Sequence, residues 1–276
     1  HRLIASENGG RKIFIFTQMR SERMFMNFRM LKEQVLDLVY PDALYCICCG
    51  KVIDGTRPYR LCNECRREIR WATGRTCRKC GKILSENNPG DTCFSCREHA
   101  HTFDMGFTCC EYGQLPRSIV FALKYHGRTD IGRTVGTVMH DRMEALRRET
   151  GLMYDLILPV PMHLEKERIR GYNQASVIGK HFARLEDMPF RPDVLLRSRN
   201  TAPLRGMTPE ERRQILSGVM TLRNAEAIRN RDVLLIDDIY TTGATVDGAA
   251  EVLLAGGARQ VYVLTFAAGA DVVKSE

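Results

Sequence analysis

Residues 233–245, Val-Leu-Leu-Ile-Asp-Asp-Ile-Tyr-Thr-Thr-Gly-Ala-Thr, decide the fold of this chain. Four consecutive aliphatic residues are typical of a strand that is buried on both faces, as in a parallel sheet. Two adjacent carboxylates, Asp237 and Asp238, follow at the carboxyl end of this predicted strand. Open α/β sheets bind their ligands at that end of their strands. The stretch therefore predicts a fold class and the position of a site.

The loop after these carboxylates has the composition of an anion site. It leads into a predicted helix, and hydroxyls together with backbone N–H groups at a helix start can hold a phosphate. Gly243 lets the backbone approach that phosphate closely, and the carboxylates can bridge ribose hydroxyls and help to hold a hydrated Mg²⁺. A buried strand followed by a polar turn is the alternative interpretation, but the complete pattern favours a ribose-phosphate site. The loop residues are Thr241, Thr242, Gly243, Ala244 and Thr245.

Strands and helices alternate around this segment, which predicts a parallel α/β sheet. Hydrophobic patterning predicts strands at 156–160, 219–222 and 261–266, and a strand or hairpin at 102–112. It predicts helices at 115–125, 131–148, 173–185, 209–216 and 245–254.

Eight of the 11 cysteines form a two-fold repeat of Cys-x-x-Cys pairs near the start of the chain. Each pair in the first set recurs 31 residues later, and Gly-Lys follows Cys49 as it follows Cys80. Two such pairs make a closed tetrahedral Cys₄ site, so the repeat predicts a double zinc ribbon with two structural zinc ions. Redox-active or metal-free thiols are the alternative, which a repeat of four pairs disfavours. The predicted ligands are Cys46, Cys49, Cys62, Cys65, Cys77, Cys80, Cys93 and Cys96.

Composition excludes several classes of protein. The chain has 276 residues, of which 44% are hydrophobic, so it can bury a core and is not globally disordered. No apolar run reaches the ~20 residues of a membrane helix. In the absence of an export signal we expect a cytoplasmic protein, whose cysteines bind metal or stay reduced. The formal net charge is +8, with the surplus in residues 1–100, which allows contact with nucleic acid.

The 233–245 segment resembles the phosphoribosyl diphosphate (PRPP) signature of type I phosphoribosyltransferases, apart from Tyr240, where most of these enzymes have an aliphatic residue. With the zinc-ribbon front, the chain resembles the ComF family over about residues 31–268. The stretches Leu-Lys-Tyr-His-Gly-Arg at 123–128, Leu-Pro-Val-Pro at 158–161 and Arg-Gly-Tyr-Asn-Gln-Ala at 170–175 also fit that family. The resemblance implies that Asp237 and Asp238 contact the ribose hydroxyls and that residues 241–245 hold the 5′-phosphate.

Cationic side chains near the strand at 156–160 are candidates for binding pyrophosphate. The resemblance to type I phosphoribosyltransferases implies that the loop after this strand binds that group. Arg168 and Arg170 precede Gly171, which suits a mobile lid over a diphosphate, and Lys124 and Arg128 are further candidates. A solvated surface charge is the alternative for each of them. Two interpretations are equally compatible with the sequence for a further group of arginines. They either lie on the surface, where they could contact a polyanion, or belong to the site. These are the arginines at 197, 199, 205, 212 and 213.

These observations predict a Rossmann-like, parallel-sheet phosphoribosyltransferase domain preceded by a small double zinc ribbon. The expected layout is a tag or disordered lead at 1–21, an amphipathic helix at 22–41, the ribbons at 44–100 and the α/β domain at 101–276. The expected cofactors are two structural zinc ions and Mg²⁺ with PRPP. We assign catalytic roles to Asp237, Asp238, Arg168 and Arg170, and binding roles to Lys124 and residues 241–245.

Two classes of function compete. One is a Mg²⁺-dependent enzyme that transfers phosphoribose from PRPP to a nitrogen nucleophile. The identity of the nucleophile and the oligomeric state of the protein stay open. The other is a non-catalytic accessory protein that binds single-stranded DNA, and a PRPP-sensing regulator is a third hypothesis. The ComF resemblance implies a link to DNA uptake in natural competence, beside a helicase-type partner.

Overall fold

The computed structural model describes residues 44–198 and 219–272. The predicted lead at 1–21 and the predicted helices at 22–41 and 209–216 lie outside these residues. The candidate arginines at 199, 205, 212 and 213 also lie outside them. None of the helices in the described ranges is long and apolar enough to cross a bilayer.

A four-stranded parallel sheet with the strand order β1-β6-β5-β2 forms the centre of the molecule. A short antiparallel pair, β3 with β4, lies outside this sheet. The predicted parallel-sheet α/β class is confirmed. In chain order the strands are β1 (Met105–Glu111), β2 (Leu156–Pro159), β3 (Leu195–Arg197), β4 (Met220–Leu222), β5 (Asp232–Tyr240) and β6 (Gln260–Ala268).

Seven α-helices occur in the described ranges. The two shortest belong to the cysteine-rich segment, and each begins directly after a cysteine that is its N-cap residue. Short 3₁₀ turns lie at Pro58–Arg60 and Ala225–Ala227. In chain order the helices are α1 (Asn63–Glu68), α2 (Phe94–Glu98), α3 (Gln114–Tyr125), α4 (Thr129–Thr150), α5 (Leu164–Arg170), α6 (Gln174–Glu186) and α7 (Ala244–Ala255).

Successive side chains of a strand point to opposite faces of the sheet. A run of consecutive aliphatic residues therefore makes both faces apolar. In β5, Leu234 and Ile236 join a cluster that contains α4 and α6. Val233 and Leu235 join a second cluster, which contains α7. The run of aliphatic residues that predicts a doubly buried strand is thus covered by helices on both sides.

The two cysteine-rich repeats pack against opposite faces of this sheet. Buried residues of the first repeat (residues 46–65, the first ribbon) belong to the cluster of α4 and α6. Those of the second repeat (residues 77–96, the second ribbon) belong to the cluster of α7. Between the repeats, the backbone at 70–72 pairs with the outer edge of β1, where the Ala72 N–H donates to the Cys109 carbonyl at 2.8 Å. The ribbons therefore share the core of the sheet.

The structure differs from the sequence-based expectations at three places. The ladder with β6 continues through Asp237 and Tyr240, so β5 does not end at Ile236 and both carboxylates belong to the strand. Arg168 and Arg170, predicted in a mobile lid, lie on helix α5, which Gly171 ends at φ 87°. The sequence did not predict β3, whose three residues are too few to show a period.

Gly81→Ala should destabilise the protein more than Gly50→Ala. Both glycines follow a cysteine pair at positive φ, 75° and 73°, where a side chain costs about 1–2 kcal/mol. A Cβ on Gly81 would also lie 2.5 Å from the Cα of Phe107 in β1, whereas Gly50 faces open space. We expect the free energy of unfolding, measured with zinc-loaded protein, to fall by about 1–3 kcal/mol more for Gly81→Ala. Equal losses would contradict close packing of the second ribbon on β1.

Candidate functional site

Asp237 and Asp238 lie in the last half of β5, beside the end of the neighbouring parallel strand β2. The Val160 N–H, just after β2, donates to the Ile236 carbonyl at 2.8 Å. The loop that follows β2 therefore starts next to the two aspartates. Asp238 is 6% exposed and Asp237 is partly buried, so both carboxylates are largely withdrawn from water.

Lys124 supplies a positive charge to this pair of carboxylates (the carboxylate pair). Its ammonium Nζ lies 2.6 Å from Oδ2 of Asp238. Burial by itself would lower the pKa of Lys124, but the neighbouring carboxylates of Asp238 and Asp237 raise it above its usual range. The predicted site residue Lys124 is thus brought to the carboxylate pair in its charged form.

The carboxylate of Asp237 binds a proton more tightly than an ordinary aspartate does. Burial, and then the negative charge of Asp238, raise its pKa to about 7. Such a carboxylate is costly to keep ionised, and a cation bound beside it reduces that cost. The carboxylate pair therefore attracts cations more strongly than an exposed aspartate would.

The loop predicted to hold phosphate forms a tight turn between β5 and α7. Gly243 is buried at φ 84°, and α7 begins at the next residue, Ala244. The first turn of a helix leaves backbone N–H groups without partners inside the helix, and Gly243 at the N-cap offers no side chain to them. The structure therefore places a helix start without a side-chain cap a few residues after the carboxylate pair, and a helix start of this kind can bind an anion.

A cluster of cations lies beside the carboxylate pair. A cavity of about 300 Å³ is lined by Lys124, Lys166 and Arg170, together with Tyr125, Gly127, Ile169 and Tyr172. The guanidinium of Arg170 lies over the ring of Tyr125, 5.5 Å from its centroid. Burial and the charges of Arg197 and Arg170 lower the pKa of Lys166, which shows how densely positive charge is packed here. Clustered cations of this kind attract a polyanion.

Two polar residues of the Arg-Gly-Tyr-Asn stretch hold these parts together. The Tyr172 hydroxyl donates to the Leu123 carbonyl in the last turn of α3, which carries Lys124. Asn173 Nδ2 donates to the Val160 carbonyl at 3.0 Å, and its Oδ1 accepts from the Ala175 N–H at the start of α6. This stretch therefore fixes the lysine and the loop after β2 relative to each other.

Other predicted cations are placed differently. Arg128 binds Asp130 through two nitrogens at 2.9 and 2.8 Å. Arg168 is exposed on α5, whereas Arg170 on the same helix lines the cavity. The structure thus groups Arg170 and Lys124, but not Arg168 or Arg128, with the carboxylate pair.

Sequence reasoning did not single out Lys166, and it left Arg197 undecided. Lys166 precedes Arg170 by four residues, so the two lie on one face of a helix, and this spacing was an available signal. Arg197 pairs through its backbone with His163, in the loop after β2, and experiences the charge of Asp237. No local pattern reveals that placement because it depends on the fold.

The eight predicted metal ligands form two groups of four. Within each group the sulfur atoms all lie within 4.8 Å of one another. A tetrahedron with Zn–S bonds of about 2.3 Å places its sulfurs about 3.8 Å apart. Measured pairs agree, with 3.7 Å between Cys49 and Cys62 and 3.6 Å between Cys80 and Cys93. Both groups therefore fit a structural zinc ion.

The backbone also favours ionisation of one of these thiols, that of Cys46. Burial opposes ionisation of Cys46, but hydrogen bonds from the backbone of Cys49, Cys62 and Cys48 lower its pKa to about 7. One of these is donated by the Cys62 N–H to Cys46 Sγ at 3.3 Å. By contrast, burial raises the pKa of Cys109 to about 12, so this leftover cysteine is a protonated thiol.

Similar folds occur among solved structures. A glutamine PRPP amidotransferase from B. subtilis is 15% identical, with a TM-score of 0.35 over 52% of this chain and 30% of that chain. A Trypanosoma cruzi hypoxanthine phosphoribosyl transferase is 16% identical, with a TM-score of 0.34 over 53% and 71% of the two chains.

Curated relatives match about half of this chain. Competence protein F of Haemophilus influenzae is 28% identical over 54% of this chain and 66% of its own length. The DNA utilization protein YhgH of Escherichia coli O157:H7 is 27% identical over 56% and 68%. Competence protein ComFC of Bacillus subtilis is 25% identical over 53% and 56%. The matches thus span two thirds or less of the Haemophilus and Bacillus proteins.

Two family models match successive parts of the chain. A double zinc ribbon domain matches residues 35–98, and a phosphoribosyl transferase domain matches residues 173–274. The first covers both groups of four cysteines, and the second covers the carboxylate pair and its loop. These matches confirm the resemblance to the ComF family, because the chain joins a double zinc ribbon to a phosphoribosyl transferase domain.

Proposed function

We propose that this protein binds PRPP, or another ribose 5-phosphate ligand, together with Mg²⁺ and transfers the phosphoribosyl group to a nitrogen nucleophile. The observation that carries the proposal is the order of groups along one edge of the sheet. The carboxylate pair is followed at once by the buried Gly243 turn and the start of α7, and it faces the cations of the 300 Å³ cavity. Carboxylates, an anion-binding turn and cations match the hydroxyls, the 5′-phosphate and the diphosphate of PRPP.

The loop and the carboxylates would orient the sugar. Backbone N–H groups at 243–246 and the hydroxyls of Thr241, Thr242 and Thr245 bind the 5′-phosphate. Asp237 and Asp238 accept hydrogen bonds from the ribose hydroxyls, which fixes the ring with C1 towards the cavity. Orientation of this kind lowers the barrier because the reacting atom is held in place before the bond breaks.

The cations would bind the leaving group. As the bond from C1 to the diphosphate oxygen breaks, negative charge grows on the pyrophosphate, and Lys166, Arg170 and Arg197 stabilise it. The new bond forms between C1 and the nitrogen nucleophile, which loses its proton to solvent or to a nearby carboxylate. Helix α5, which carries two of these cations, forms one wall of the cavity.

The donor set also fits Mg²⁺. Two adjacent carboxylates offer the oxygen ligands that this ion prefers. Burial, and then the charge of Asp238, raise the pKa of Asp237, and a cation bound there would offset both effects. When bound there with the ligand, Mg²⁺ would supply further charge stabilisation for the diphosphate.

The names of the relatives support a role in DNA uptake. One relative is called a competence protein, and another a DNA utilization protein. We propose that this chain serves the same process, with its phosphoribosyl transferase domain acting on, or sensing, a ribose phosphate.

Replacing both aspartates with Asn should abolish binding of PRPP. Calorimetry with Mg²⁺ present should show a loss of at least about tenfold, since each carboxylate makes charge-assisted hydrogen bonds. Asp232→Asn is the matched control, because Asp232 lies at the opposite end of the same strand, where it binds Arg259. Release of pyrophosphate with candidate nucleobases then tests for turnover. Unchanged binding in the double variant would refute the site.

Asp237→Asn should stabilise the protein at alkaline pH while it removes ligand binding. The folded protein raises the pKa of Asp237 to about 7 from an unfolded value near 4, so the folded state holds the proton more tightly. Stability is therefore lost as the pH rises between these two values, and Asn avoids that loss. We expect the melting temperature of the variant to exceed that of the wild type by a few degrees at pH 8 and by little at pH 4. An equal difference at both pH values would contradict the raised pKa.

A cleft between the first ribbon and α4 favours a second candidate function, binding of single-stranded DNA. This cleft of about 270 Å³ is lined by the aromatic rings of Tyr59 and Trp71 and by Arg66 and Arg142. The two rings lie 5.8 Å apart. Both rings are partly exposed, and aromatic rings at a surface can stack with unpaired bases while arginines bind the phosphates between them.

An oligonucleotide that stacks in this cleft should quench the fluorescence of Trp71, the single tryptophan of the chain. Affinity should fall steeply as salt concentration increases, and Arg66→Ala should reduce the salt slope by about one. Arg97→Ala is the control because Arg97 occupies the equivalent position of the second ribbon and stacks on Phe94 instead. Binding without quenching, or equal effects of both variants, would exclude the cleft as the DNA site.

A further inference from the structure

We propose that His101 is a positioning residue for the loop at 241–245. Its imidazole joins the end of β5 to the first turn of α7 and thereby sets the shape of the turn at Gly243. The inference rests on the proposed binding of a ribose 5-phosphate group by this loop, and it names a residue, remote from the ligand, that tunes that binding.

Both ring nitrogens of His101 are engaged in the protein interior. Nδ1 lies 2.7 Å from Oδ2 of Asp247, in the first turn of α7. Nε2 lies 3.1 Å from the hydroxyl of Tyr240, the last residue of β5. The side chain of His101 is 1% exposed, and Tyr240 is 3% exposed. A single imidazole therefore spans the two ends of the loop.

The hydrogen bonds place a hydrogen on Nδ1 of His101. The Asp247 carboxylate accepts, and its other oxygen, Oδ1, accepts from the Thr102 N–H at 2.9 Å. Nδ1 of His101 therefore donates to Asp247, and Nε2 shares a second hydrogen bond with the Tyr240 hydroxyl. Every polar group of the chain Tyr240–His101–Asp247 then has a partner, so the imidazole locks all three side chains.

The turn at Gly243 rests directly on this chain of side chains. A Cβ at Gly243 would lie 2.5 Å from the Tyr240 hydroxyl and 2.8 Å from Cε1 of His101. The backbone that would receive the phosphate is thus in contact with the two groups that His101 joins. A shift of either ring by a few tenths of an ångström must move the turn, because closely packed interiors transmit displacement.

The arrangement also engages the carboxylate that lies nearest the helix start. Asp247 lies in the first turn of α7, where its carboxylate would compete with a bound anion for the helix N–H groups. Both of its oxygens are instead directed to His101 and Thr102, and the residue is 8% exposed. His101 therefore acts on the turn in two ways, by contact with Gly243 and by its hydrogen bond to Asp247.

His101 is itself held by the second ribbon. Its ring stacks on Phe103 with centroids 5.1 Å apart. Lys79, inside the third cysteine pair, donates to the carbonyls of Phe103 and Asp104. Lys82, just after that pair, is 7% exposed and lies 5.8 Å from the centroid of the Tyr240 ring. The second ribbon and the segment that follows it therefore contact the two side chains, His101 and Tyr240, that pack against the loop at 241–245.

Tyr240→Phe and His101→Asn both remove the hydrogen bond between the two rings, and Tyr240→Phe does so with little loss of volume. Asn can still donate to Asp247 from about the position of Nδ1. We expect each variant to bind ribose 5-phosphate with Mg²⁺ about 3- to 10-fold more weakly in calorimetry, as for the loss of one hydrogen bond. The double variant should bind no more weakly than the single ones, because all three lack the same link. Hydrogen exchange of amides 241–247, measured by mass spectrometry without ligand, should become faster in all three.

Tyr154→Phe is the matched control. The Tyr154 hydroxyl donates to Glu186 at the end of α6, and Tyr154 is 5% exposed, so this variant also removes one buried tyrosine hydrogen bond. This variant should leave both affinity and exchange at 241–247 unchanged. The inference is overturned if exchange at 241–247 in Tyr240→Phe and His101→Asn equals that of Tyr154→Phe. If exchange increases as expected but the wild type binds no ribose 5-phosphate, the positioning role stands and the proposed function fails.

Discussion

The backbone pairing of residues 70–72 with β1 is the contact on which the assembly of ribbons and sheet depends. β1 is an edge strand with β6 on one side only, and its other side would expose unpaired N–H and C=O groups. The Glu111 N–H donates to the Arg70 carbonyl at 2.9 Å, and the Ala72 N–H donates to Cys109. This short segment joins the two ribbons, so its pairing brings one ribbon to each face of the sheet. Each ribbon has few large apolar residues, and it gains from the sheet the core that it cannot build alone.

Charge compensation constrains the candidate site, as backbone pairing constrains the edge of the sheet at β1. A carboxylate within a buried strand needs a cation nearby, because burial alone disfavours its charge. Lys124 meets that need for Asp238, and it comes from the end of α3, which Tyr172 holds in place. Burial, and then the charge of Asp238, raise the pKa of Asp237 to about 7 even with Lys124 nearby. An added cation beside Asp237 is therefore favoured.

Sequence reasoning succeeded where chemistry is concentrated in a short stretch. The aliphatic run before Asp237 predicted a strand buried on both faces, and the spacing of Cys46 and Cys49 predicted half of a metal site that the fold completes. It was less successful where partners are distant in the chain. Nothing near Lys124 indicates that it pairs with Asp238, and a lone histidine such as His101 suggests an ordinary core or surface residue. These placements depend on how strands and helices meet, which local periods do not encode.

The absence of a side-chain cap on α7 shows why its support has to come from elsewhere in the fold. Ser, Thr, Asp or Asn at an N-cap stabilises a helix start by occupying the N–H groups that an anion would need. Gly243 leaves those groups accessible and gives up that stabilisation. The turn must then be fixed by contacts that leave the N–H groups alone. The Tyr240 hydroxyl and the His101 ring meet this condition, because they press on the position of the missing Cβ of Gly243. A turn at Gly243 without a side-chain cap therefore needs buried side chains packed against it, and His101, in the segment after the second ribbon, supplies one of them.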